Sequence, residues 1–401
     1  MNLLKSTLII ILSLMLTNCT NNDDKLKARA NELAQKFIIT DGHIDLPWRL
    51  HKNGYEDISV RTPGGDFDYI RAKQGGLDAP FMSIYVPATY QVTGGAKEMA
   101  LELMNSVKRI TTDHPDKFEM AYSISDVERI FDQGKIALPM GMENGAPIEG
   151  DLDNIQFFFD EGIRYITLTH SEDNDICDSS YNLGERTHKG LSDFGKEVVL
   201  EMNRVGIMVD ISHVSDDAFY QIMDVTQVPA IASHSSARHF TPGFERNMSD
   251  DMIKRLAENG GVIQINFGSS FVTQESQDKR KKNSEDVSAF AKENNLESDD
   301  PRVKEFAKKV AIDNPVFCDV TDVADHFDHV VKLVGIDHVA FGSDYDGVGD
   351  TLPYGLKDAS TFPNLIYHLL KRGYSEEDIE KICYKNIWRV WKATEEFAEL
   401  N

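Results

Sequence analysis

The sequence predicts an α/β protein: a single (β/α)8 barrel of the TIM type with a helical addition at the C-terminus. Three observations predict it. Eight short runs rich in Val, Ile, Phe and Tyr punctuate the chain. Most are apolar nearly throughout, as strands of a parallel sheet are when both faces are buried. Helical patterns separate them, which is the alternation of βαβ units. The C-terminal ends of the runs gather His, Asp and Glu, and that end of such a barrel is where catalytic groups sit. A length of 401 residues suggests two or three domains at about 150 residues each, yet barrels of this type extend past about 400 residues as one unit.

The first strand, Phe37 to Thr40, leads into Asp41-Gly42-His43-Ile44-Asp45. The second, Phe81 to Val86, is followed by a helix over Met99 to Ile110 that carries Leu103, Met104 and Val107. A helix at Ser125 to Phe131 precedes the third strand, Ile136 to Gly141. The fourth is Tyr165 to Thr169, and a helix over Leu191 to Val205 joins it to the fifth, Ile207 to Ile211. The sixth, Ala230 to Ser233, precedes a helix over Asp250 to Glu258, for which Ser249 is a good N-cap. The seventh is Gly261 to Phe267 and the eighth His338 to Gly342. A last helix, Ser375 to Trp391, opens with Ser375 and Asp378, a weaker form of the capping box.

Residues 273–313 break the composition between strands seven and eight, with Lys279 to Lys282 basic and Glu293, Glu297, Asp299 and Asp300 acidic. The expectation is a solvated insertion with short helices near Val287 to Lys292 and Val303 to Val310; a substrate lid is the alternative. No internal repeat is present.

The net charge of −24 opposes phosphate backbones and excludes a nucleic-acid-binding role. With 41% hydrophobic and 27% charged residues, a wholly disordered chain and a multi-span membrane protein are excluded too. At the N-terminus, Lys5 and the apolar run Leu8 to Leu16 form an export signal, too short for a spanning helix of about 20 residues. Leu16-Thr17-Asn18-Cys19 resembles a bacterial lipobox, with Asn18 in place of the usual small residue. The expectation is residues 1–19 as signal, 20–30 as polar tether and 31–401 as barrel. Cys19 would be lipidated, making an exported lipoprotein anchored in the bacterial envelope, with a periplasmic or secreted form as the alternative. Cys177, Cys318 and Cys383 show no metal-binding spacing. Pairing of Cys177 with Cys318 and burial as small apolar groups are equal readings.

Chemistry concentrates at the strand ends. In extended backbone His43 and Asp45 project from one face and can grip one cation. Glu143 follows the apolar third strand, where an uncompensated carboxylate is costly. His170, His213 and His234 follow three consecutive strands. His43, Asp45, Glu143, His213 and His234 make five ligands, too many for one tetrahedral zinc and suited to two metals sharing a carboxylate. At the eighth strand Asp344 is favoured over Asp346. The other eight histidines, His326 and His239 among them, are read as structural.

Several stretches together resemble the renal-type (membrane) dipeptidase family of the amidohydrolase superfamily. They are DGHIDLP (41–47), GMENG (141–145), LTH (168–170), GLSDFGKEVVLEMNRVGIMVDISHV (190–214), ASHSSA (232–237), Arg246-Asn247 and GSDYDGV (342–348). Tyr384 to Val390 resembles the family's closing element, with Tyr384 in place of its Gly. The resemblance implies two zinc ions, one on His43 and Asp45, one on His213 and His234, bridged by Glu143. It implies that His170 contacts the scissile carbonyl, that Arg246 binds the dipeptide's carboxylate, with Arg238 as fallback, and that Asp344 takes the amino terminus and the departing proton. A hydroxide shared by the two metals would be the nucleophile. Family members often form homodimers, although no interface signal stands out. Asp173 and Asp175 depart from the family's Asn-rich stretch and are expected to alter side-chain preference. Rival readings are a related amidohydrolase acting on N-acyl amino acids, cyclic amides or lactones, and a silent peptide-binding lipoprotein.

Overall fold

The structure is a computed structural model that describes residues 22–401. Ten strands form: β1 (Ile39–Ile44), β2 (Leu77–Tyr85), β3 (Phe118–Met120), β4 (Ile136–Leu138), β5 (Met140–Glu143), β6 (Ile163–Thr167), β7 (Met208–Asp210), β8 (Ile231–Ser235), β9 (Val262–Ile265) and β10 (Val339–Phe341). Eight close into a parallel barrel in the order β1-β10-β9-β8-β7-β6-β5-β2, sealed where Asp41 pairs with Phe341. This is the (β/α)8 barrel, and each of its strands overlaps one of the eight apolar runs.

Two details differ from the sequence expectation. The third run is two strands, not one. Pro139 has no N–H to donate, so the ladder breaks there. β4 turns aside to pair with β3, while β5 enters the barrel. The region expected as a polar tether is helical over residues 22–36. Ala30, Leu33 and Ala34 on that helix are fully buried and join the main core. The polar residues between them hid the apolar stripe. The expected signal and Cys19 lie outside the described residues. Among the described residues, no helix is long and apolar enough to cross a membrane.

The C-terminal addition plugs the bottom of the barrel. The capping box of Ser375 and Asp378 forms in both directions. The expected single helix is interrupted by a π turn over Lys381–Lys385 before it resumes as Asn386–Leu400. Ile387, Trp388, Val390 and Trp391 pack against inward residues of the strands, including Phe81, Tyr165, Met208 and Val262. Trp388 Nε1 also donates to Thr40 Oγ1 at 3.0 Å. The barrel is therefore closed at one end and chemically active at the other.

The 273–313 insertion folds as two helices, Gln274–Glu293 and Pro301–Asp313, longer than expected and joined face to face by stacked Phe290 and Phe306. Cys177, Cys318 and Cys383 are buried and unpaired, which settles the cysteines as small apolar groups.

Candidate metal centre and substrate cavity

A cavity of about 480 Å³ opens at the C-terminal end of the barrel. Asp45, Glu143, His170, His213, His234, Arg246 and Asp344 all line it. His43 lies just beneath, its ring centroid 3.8 Å from that of His234. All eight residues expected at the site thus meet in one place, although they come from six strand ends and the loops that follow them. A larger cleft of about 620 Å³, with Tyr90, Gln91, Asp173 and His188 in its walls, lies to the side and holds no comparable cluster.

Backbone conformation aims these groups. Asn144, His213 and Asp344 adopt positive φ of 80°, 71° and 62° where the chain leaves the strands. That region is costly for most side chains and least so for Asn, Asp and His. Such strain collects at functional sites. Gly347 must lack a side chain, because a Cβ there would collide with the carboxylates of Asp45 and Asp344.

Glu143 stands at the centre. Its Oε1 is 3.1 Å from His213 Nε2 and 3.2 Å from His234 Nε2, and its Oε2 is 3.4 Å from His43 Nε2. His43 Nε2 is also 3.7 Å from Asp45 Oδ2, and His170 Nε2 is 3.7 Å from Glu143 Oε1. Asp344 can join His43 and Asp45 about a common point. His213 Nε2 and His234 Nε2 face each other at 2.9 Å. Two imidazole lone pairs cannot approach so closely without a proton or a cation between them. His43 Nε2, Asp45 Oδ1 and His213 Nδ1 are buried without a hydrogen-bond partner. A buried polar atom without a partner costs about 1–3 kcal/mol, so the donor set calls for an occupant. Imidazole and carboxylate suit a zinc-type ion.

The protonation states of His213, His234 and Glu143 agree. Burial, aided by the Arg246 cation, holds His213 well below the usual imidazole range. Burial does the same to His234, aided by His43 and Arg246. Burial would raise Glu143, but the His43 and His170 charges and the close contacts of His213 and His234 outweigh it and hold the carboxyl well below its usual range. Neutral His213 and His234 beside an ionised Glu143 are the states that bind metal. His43 differs, because against its burial Tyr165, Glu143 and Asp45 hold it well above the usual imidazole range, and it must shed a proton to serve as a ligand. Burial pushes Asp344 up to about 7, with Asp45 and Glu143 reinforcing it against His43. Burial also lowers His170.

A polar layer inside the barrel supports the ligands. Ser233 Oγ donates to Asp210 Oδ2 at 2.6 Å and accepts from His234 Nδ1 at 2.7 Å, which leaves His234 Nε2 bare. Asp210 is completed by Thr167 Oγ1 at 2.5 Å and the backbone N–H groups of Ser212 and Ser233. His43 Nδ1 reaches Tyr165 Oη at 2.8 Å. Asn266 Nδ2 donates to Asp344 Oδ2 at 2.7 Å. Arg246 Nη1 donates to Ser235 Oγ and Nη2 to the His234 carbonyl, fixing a guanidinium whose Nε has no partner. Sequence reading did not find Tyr165, Asp210, Ser233 or Asn266. Only the adjacency of Ser233 to His234 and the position of Asp210 three residues before His213 hinted at them.

Alternatives separate cleanly. Arg238 pairs with Asp216 at 2.5 Å, outside the cavity, and Asp346 pairs with Arg49 at 2.9 Å. Asp173 does not line the cavity. Its carboxylate accepts from Ser179 N, Asn182 Nδ2 and Thr187 N, tying its own loop together. It and Asp175 border the larger cleft instead.

Comparison with known proteins agrees with this architecture. The membrane dipeptidase family (peptidase family M19) matches residues 27–401. The chain is 30% identical to Dipeptidase 3 of Mus musculus over 385 residues, covering 94% of this chain and 69% of the mouse protein. It is 31% identical to an uncharacterized dipeptidase of Schizosaccharomyces pombe, covering 92% of this chain and 84% of that one. Among solved structures, the probable dipeptidase PvdM from Pseudomonas aeruginosa superposes with a TM-score of 0.80 at 26% identity, covering 94% of this chain and 100% of that one. The chain therefore belongs to the membrane dipeptidase family, peptidase family M19.

Proposed function

We propose that the protein is a zinc-dependent dipeptidase with two zinc ions per chain, cleaving dipeptides that carry a free C-terminal carboxylate. His43 and Asp45 would hold one ion, His213 and His234 the other, and Glu143 both. The observation that carries this reading is the division of the two Glu143 oxygens between His43 on one side and His213 with His234 on the other. Metals held there would supply water activation and carbonyl polarisation.

The chain's own residues do the rest. His170, with an unpartnered Nδ1 and Glu143 beside it, stabilises charge as it develops on the carbonyl oxygen. Asp344, held through Oδ2 by Asn266, binds the amino terminus and passes a proton to the leaving amine. Arg246 receives the carboxylate in a two-pronged manner that a Lys cannot match. Because it is anchored, it sets the substrate length at one residue beyond the scissile bond. Trp48 and Tyr85 form an aromatic wall beside the carboxylates.

Export and lipidation of Cys19 belong to this proposal on sequence grounds, and mass analysis of the mature N-terminus tests them. The function is tested by metal analysis together with a dipeptide screen on the purified chain. Two zinc ions and hydrolysis of dipeptides, with blocked C-terminal amides spared, are expected. Preference for N-acyl amino acids over dipeptides would overturn it.

A further inference from the structure

We propose that Arg280 makes this cavity selective for dipeptides whose C-terminal residue has an acidic side chain, Arg246 taking the α-carboxylate and Arg280 the second carboxylate. This rests on the dipeptidase reading and adds a side-chain preference to it.

Arg280 comes from the charged insertion, which was expected to stay in solvent, yet it borders the cavity. Its Nη1 donates to Ser270 Oγ at 2.8 Å. Ser270 precedes Phe271, and the Arg246 guanidinium lies 5.6 Å from the centre of the Phe271 ring. Arg246, Phe271 and Arg280 thus all line the cavity, with Arg280 tied to the residue before Phe271 and Arg246 packed near its ring. The carboxylates of Asp45, Glu143 and Asp344 line the same cavity.

Two neighbouring lysines of the same helix are already paired. Lys279 meets Glu275 at 2.7 Å and Lys282 meets Asp286 at 3.1 Å. Arg280 pairs with no carboxylate among the described residues, and neither does Arg246. In a chain of net charge −24, a doubly acidic substrate is repelled at long range. Two guanidinium groups without carboxylate partners in one cavity reverse that locally and match two carboxylates on one residue. Arg246 is buried and anchored, so it suits the carboxylate that every dipeptide has. Arg280 sits at the exposed mouth, where the variable side chain must point.

The test compares kcat/KM for Ala-Glu, the isosteric Ala-Gln and Ala-Lys, using the metal-loaded full chain and its Arg280→Gln and Arg280→Glu variants. The native protein is expected to favour Ala-Glu over Ala-Gln about tenfold at low salt, with the ratio shrinking as salt rises. Arg280→Gln should bring that ratio near one. Arg280→Glu should favour Ala-Lys over Ala-Glu, an inversion that a merely structural role cannot produce. An unchanged ratio in both variants overturns the role of Arg280. Failure of the native protein to cleave any of the three overturns the dipeptidase reading itself.

Discussion

Glu143 Oε1 lies 3.1 Å from Nε2 of His213, while the other oxygen of the same carboxylate turns toward His43 on the opposite side of the barrel mouth. One carboxylate thus touches histidines from both groups that the proposal assigns to separate ions. Replacing Glu143 with Gln keeps the shape but turns one oxygen into a donor that repels cations. Turnover is expected to fall at least about a thousandfold, and the variant should retain fewer metal ions after dialysis. Full activity with a full metal complement would remove Glu143 from its bridging place.

Arg246 tests the substrate end of the cavity. Arg246→Ala should raise KM for dipeptides about tenfold to a hundredfold, the size of a charged hydrogen-bonded contact. The effect on uncharged amide substrates should be much smaller. Because Arg246 also donates to Ser235 and His234, Arg246→Lys is the control that keeps the charge. Equal effects on charged and uncharged substrates would reject the carboxylate role.

Ser233 and Asp210 test the support beneath the ligands. Ser233→Ala removes the acceptor of His234 Nδ1 and leaves Asp210 short of a donor. Metal affinity measured by competition with a chelator should fall about tenfold to a hundredfold. Tyr165→Phe should act likewise on His43. Unchanged affinity in both would mean that the histidines orient themselves.

How much of this was legible in the sequence follows from what each residue does. His43, Glu143, His213 and His234 stand out because polar groups directly after apolar strands need a partner. The barrel followed from the same apolar runs. Asp210, Ser233 and Tyr165 could not be told from ordinary strand residues, since their partners come from other strands. The helix over residues 22–36 was hidden because small alanines, rather than large apolar side chains, make much of its buried stripe. The break at Pro139 was visible as a proline, but not the turn of β4 toward β3. Arg280 read as one of a basic run, and only the packing of its helix shows which of those cations faces the cavity.

His326 gives a pH dependence away from the metal centre. It is fully buried, accepts from Ala237 N through Nδ1 at 3.0 Å and donates through Nε2 to the Val272 carbonyl at 2.9 Å. Burial pushes its pKa down to about 4. The unfolded chain takes up this proton near pH 6.5, before the folded one does, so acidification from about 6.5 to about 4 destabilises the fold, by about 3 kcal/mol in all. Below that range this residue adds nothing more. Urea unfolding of the protein and of His326→Gln at about pH 7 and about pH 4.5 checks it. The variant should lose about 2 kcal/mol less on acidification; equal losses would contradict it.

The central claim is that Glu143 joins two metal half-sites. The most direct measurement is a crystal structure of the zinc-loaded protein, with anomalous scattering to count the ions. Two zinc ions, each in contact with a different oxygen of Glu143, are the predicted result. A single ion, or two ions of which only one touches Glu143, would contradict it.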